Sequence, residues 1–148
     1  YQVNDDFDVT VTVDSSRDKP DASRTPTRQS PVFGVANNVD PFDVDADFNQ
    51  RNDLDVSGVA VTATLNLSDS LQLKSISAYR EMDYQAQLDL DATALPIFGV
   101  FVDQKQQQIS QELQLNFDNG ENLTGIAGLY YFKEEDKTES QESVQLPT

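Results

Sequence analysis

In "DPFDVDADFNQRND" three carboxylates and an amide stand at alternate positions: Asp43, Asp45, Asp47 and Asn49. Oxygen donors repeated in this way are how a calcium loop surrounds a hard cation. The EF-hand form of the loop needs Gly at its sixth position and a bidentate Glu at its twelfth. Counted from Asp43, those positions hold Phe48 and Leu54, so the specific motif fails. Asp43, Asp45 and Asp47 remain candidates for a looser divalent-cation site. Little other chemistry is on offer. The chain has no His, no Cys and no Trp, so a Ser-His-Asp or Cys-His nucleophile cannot be assembled, and neither a thiolate metal site nor a disulfide framework exists. Carboxylates are plentiful enough for a glycosidase-type pair, but they crowd polar segments and lack a Trp platform for a sugar. The expectation is a chain with no catalytic residues and no cofactor, not an enzyme.

Charge narrows the partners. The net charge of −16 over 148 residues is spread along the chain: −7 over residues 1–57, −6 over 58–134 and −3 over 135–148. Every section repels phosphate, so no nucleic-acid partner is expected. The chain opens at Tyr1 without a basic or apolar leader, which suggests a mature or internal piece of a longer product. No run approaches the ~20 apolar residues of a membrane helix; the weaker signal of a membrane β-strand has to be sought in alternation.

That alternation is what organises the chain. "FDVTVTV" sets Phe7, Val9, Val11 and Val13 against Asp8, Thr10 and Thr12, and "GVAVTATLNL" sets Val59, Val61, Ala63, Leu65 and Leu67 against Thr62, Thr64 and Asn66. A period of two belongs to a strand with one apolar and one polar face. The full pattern predicts an all-β fold, an antiparallel up-and-down meander of about five strands near 6–13, 58–67, 71–90, 105–117 and 123–134. Long loops are expected near 14–57, 91–104 and 135–148, and short turns at Ser68–Ser70 and Asp118–Asn122. A connection of some forty residues argues against an ordinary soluble sandwich.

Short turns on one side and long loops on the other suit a barrel wall in an outer membrane. The aromatic residues can be tested against that idea. Tyr79 lies eight positions after Leu71, and Tyr131 lies eight after Leu123, between Tyr130 and Phe132; charge follows at once in Arg80–Glu81 and Lys133–Glu134. Phe117 precedes the other turn. Tyr79, Phe117, Tyr130, Tyr131 and Phe132 are therefore the candidate membrane-interface girdle, and Arg80 beyond it reads as an interfacial anchor. Lys74 and Glu112 fall out of phase with the leucines and are expected to face a polar lumen. Gln111, Ser75 and Ser77 fall in phase with the apolar set, so the third strand is expected to shift phase through a bulge.

Three segments carry a resemblance. Leu73–Arg80 ("LKSISAYR") with Asp89 and Asp91, Ser110–Leu115 ("SQELQL") and Gly128–Phe132 ("GLYYF") are similar, in order and spacing, to strand motifs of TonB-dependent outer-membrane receptors of the iron-complex branch. The match covers roughly residues 58–136. The resemblance implies a partial segment of a 22-stranded transmembrane β-barrel, with the plug domain absent, in the outer membrane of a Gram-negative bacterium. It also implies energised uptake of a scarce solute, with a ferric siderophore as the expected ligand. Outer-membrane lipid, the remainder of the barrel and plug, and the TonB complex reached through that plug are the implied partners. The alternative from another class is a secreted β-rich binding or adhesion module with calcium-binding acidic loops.

Overall fold

The computed structural model describes residues 4–20, 50–91 and 95–144. It is all-β. Five strands, β1 (Phe7–Asp18), β2 (Arg51–Ser68), β3 (Leu71–Asp89), β4 (Phe98–Asp118) and β5 (Thr124–Val144), form one sheet in the order β1-β2-β3-β4-β5. Neighbours in sequence are neighbours in space, the up-and-down meander that the alternation predicts. No described helix is long and apolar enough to cross a membrane.

Backbone hydrogen bonds fix the register. The Asn66 amide donates to Asp6 O, Asp118 to Ser70 O, Leu90 to Phe98 O, and Asn119 to Leu123 O. On the β3–β4 ladder, Ser70 therefore lies opposite Asp118 and Leu90 opposite Phe98, and both pairs of numbers sum to 188. A bulge between those points would change that sum, so there is no net slip along β3. The expected phase shift does not occur, and the polar residues that suggested it have another explanation.

The strands run further than the apolar pattern suggested. β1 continues to Asp18 and β2 begins at Arg51, β4 begins at Phe98 inside the expected 91–104 loop, and β5 runs to Val144 through the expected 135–148 loop. Two physical reasons account for this. Ladder hydrogen bonds need no apolar side chain, so a polar stretch such as "KEEDKTESQES" can pair as well as a greasy one. The ends of β1 and β2 are also held by cross-strand ion pairs, which alternation of hydropathy does not register.

The described residues fall into two compact units. One holds those of Tyr1–Ser16, Val56–Met82 and Gln106–Asp136; the other holds those of Arg17–Asp55, Asp83–Lys105 and Lys137–Thr148. The first unit is closed by the turns after β2 and β4. In the second of these, Asn119 Oδ1 accepts from the amides of Glu121, Asn122 and Leu123 at 3.0–3.1 Å, and Asp118 Oδ1 accepts from Gly120 at 2.8 Å. Gly120 sits at φ 72°, the left-handed region that favours glycine. This unit contains no buried apolar residue among those described.

In the second unit ion pairs join odd positions: Arg17 with Asp55 at 2.5 Å, Arg51 with Asp53 at 2.6 Å and Lys105 with Asp83 at 3.6 Å. The Arg17 hydrogen bond holds the Asp55 carboxyl below its usual range, and Asp55 in turn raises the guanidinium. Most of the apolar groups on this unit's strands stand at even positions, with Leu54, Tyr84, Leu88, Val100 and Val102 half-buried and Ala86 buried, while Phe101 is odd and exposed. The "DLD" at the end of β3 (Asp89–Asp91) closes the start of the β3–β4 connection. The Asp91 amide donates to Asp89 Oδ1 at 3.0 Å, and the Phe98 amide donates to Asp91 Oδ2 at 2.7 Å. Both carboxylates are buried.

Candidate membrane-facing surface

Side-chain contacts assign the two faces of the first unit. Ser77 Oγ donates to Gln111 Oε1 at 2.5 Å and Gln111 Nε2 to Ser75 Oγ at 2.9 Å, so odd positions of β3 and β4 share a face. Ser57 Oγ donates to Glu81 Oε1 at 3.0 Å, which adds the odd positions of β2. Even positions share the other face. Gln72 Nε2 donates to Asn66 Oδ1 at 2.9 Å, Arg80 pairs with Asp14 at 2.8 Å, and Gln108 Nε2 donates to Glu134 Oε2 at 2.8 Å.

The odd face is apolar over a constant length. Val59–Leu67, Leu71–Tyr79, Ile109–Phe117 and Leu123–Tyr131 each span nine residues, and β1 contributes Phe7, Val9, Val11 and Val13. Nine residues at ~3.4 Å each, on strands tilted as in a barrel, cross a band comparable with a hydrocarbon core. The band has polar limits. At one end are the two turns. At the other, Glu81 accepts from Ser57 and from the Tyr79 hydroxyl at 3.2 Å, and Lys133 pairs with Glu135 at 2.7 Å. The Glu135 hydrogen bond raises the Lys133 ammonium above its ordinary value.

Nothing among the described residues covers this band. Ile109, Leu113, Leu115, Phe117 and Leu129 keep 50, 40, 39, 37 and 75% of their surface exposed. The polar residues that alternate with them on β4 (Ser110, Glu112, Gln114 and Asn116) are each half-buried. A soluble sheet shows the reverse order, and soluble monomers rarely leave contiguous apolar patches of more than a few hundred Å².

The three residues out of keeping with the band satisfy one another. Gln111 lies opposite Ser77 in the β3–β4 register, with Ser75 on the diagonal, and the amide bonds both hydroxyls. Their phase was legible in the sequence; their pairing needed the register.

The candidate girdle divides. Tyr79, Phe117 and Tyr131 lie on the odd face, Tyr79 half-buried and the others exposed. Tyr130 and Phe132 lie on the even face, stacked with ring centroids 6.5 Å apart and planes 9° apart. Consecutive strand residues point to opposite sides, so "YYF" cannot serve one girdle. Arg80 is likewise no anchor for the band. It faces the polar side with Lys74 and Glu112, as its bond to Asp14 requires. Glu112 accepts from Gln114 Nε2 at 2.6 Å.

Asp43, Asp45 and Asp47 lie outside the described residues. Among the described residues, no group of three or more His, Cys, Asp or Glu side chains is arranged to hold a metal ion. No family model, curated protein or solved structure matches the chain.

Proposed function

We propose that this chain is a wall segment of an outer-membrane β-barrel, of the TonB-dependent receptor kind that its strand motifs resemble. In that reading the odd face of the first unit meets lipid and the even face lines a polar lumen. The parent receptor takes up a scarce solute, with a ferric siderophore as the expected ligand, and the segment supplies wall and outer connections. The observation that carries the reading is the reversed exposure on β4, where the apolar side chains are more open than the polar ones between them.

The stagger of the two turns supports the same reading. Asn119 opposite Leu123 centres the second turn on residue 121; the Asn66–Gln72 and Ser57–Glu81 pairs centre the first on Asp69. In the β3–β4 register, residue 121 lies opposite position 67, two residues beyond 69. Two residues of ~3.4 Å over two strand spacings of ~4.8 Å incline the strands by about 35° when both turns lie in one plane. Barrel strands tilt by about 35–45°.

The test is partition. The chain is expected to precipitate from aqueous buffer and to give a dispersed, β-rich species in detergent micelles. A monodisperse, cooperatively unfolding monomer without detergent would contradict the proposal.

A further inference from the structure

β1 and β3 are not neighbours, yet a side chain joins them. Arg80 Nη2, from β3, donates to both carboxylate oxygens of Asp14 on β1, at 2.9 and 2.8 Å. The bond passes over β2, across two strand spacings of roughly 4.8 Å, a reach that suits the long arginine side chain. It passes at Gly58. A Cβ on that residue would stand 3.1 Å from Asp14 Oδ1, 3.4 Å from Arg80 Nε and 3.4 Å from Tyr79 O. Glycine inside a strand weakens it relative to alanine, so its place in the middle of β2 calls for a reason. The open path for Arg80 supplies one.

We infer that Asp14, Gly58 and Arg80 form a strap that holds the edge strand β1 at a fixed level on the sheet. β1 is paired with β2 alone, and slippage is the ordinary hazard of an edge strand. A two-pronged, charge-assisted bond to a strand two places away pins it at one level, because the guanidinium meets the carboxylate at that position only. In the second unit, Arg17 and Asp55 join β1 to β2. The strap thus ties β1 to a strand beyond its immediate neighbour. It operates in water or in lipid, so its success or failure is separate from that of the membrane reading.

Amide hydrogen exchange on the full chain in detergent micelles tests it, with variants Arg80→Lys, Gly58→Ala and the exchanged pair Asp14→Arg/Arg80→Asp. Lysine keeps the charge, but its ammonium sits one bond nearer the backbone than Nη2, which makes both bonds to Asp14. In Arg80→Lys and Gly58→Ala the amides of β1 are expected to exchange about threefold faster or more, while those of 109–117 on β4 keep their protection. The exchanged pair should recover at least part of the loss. In a double-mutant cycle, Asp14→Ala with Arg80→Ala should cost β1 no more protection than either change alone. Unchanged β1 exchange, equal loosening of every strand, or strictly additive effects of the two alanine changes would each overturn the strap.

Discussion

Ser75, Ser77 and Gln111 carry the sharpest consequence at the scale of single residues. A polar group turned toward hydrocarbon is tolerated when it is hydrogen-bonded and costly when it is not. Ser77 and Ser75 both meet Gln111, so the three stand or fall together. Gln111→Leu leaves both hydroxyls without the amide and is expected to destabilise the micelle-bound sheet by about 1–2 kcal/mol. The triple change Ser75→Ala/Ser77→Ala/Gln111→Leu removes every partner at once and should return close to the starting stability. Urea unfolding in micelles measures both. In water the hydroxyls would simply be hydrated, and Gln111→Leu would move stability by less than about 0.5 kcal/mol.

At the scale of the strand, alternate residues stand on opposite faces of the sheet, which in the proposed reading meet two different media. β4 shows this most plainly, with Ile109, Leu113, Leu115 and Phe117 on one side and Ser110, Glu112, Gln114 and Asn116 on the other. Leu113→Arg places a charge in the middle of the band and is expected to cost about 2–4 kcal/mol. Gln114→Arg, one residue along, should cost almost nothing. Equal effects in micelle unfolding would contradict the assignment of faces. Strand existence and order were legible because five segments alternate strongly. The extent of the strands was not, and β4 shows why. Phe98, Val100 and Val102 stand at even positions with Phe101 alone at an odd one, whereas the apolar residues from Ile109 onward are odd. The pattern therefore breaks although the ladder does not. From Lys133 to Ser143 β5 is polar on both sides, so hydropathy carried no signal there. The split of the aromatic girdle, by contrast, was readable from alternation alone: Tyr130 and Phe132 flank Tyr131 and had to face the other way.

For the molecule as a whole, the one sheet has two edge strands, and among the described residues nothing covers the apolar face of the first unit. Such a surface needs a partner, and lipid is the partner that suits a band of constant width bounded by polar turns and ion pairs. Since the chain contains no tryptophan, a single introduced one reports its own surroundings. The decisive measurement is fluorescence of Leu113→Trp and of Gln114→Trp in bilayers whose acyl chains carry bromine. A lipid-facing odd side gives strong quenching of the first and little quenching of the second. Equal quenching of the two, or none in either, would contradict a lipid-facing odd side and return the chain to the soluble β-proteins.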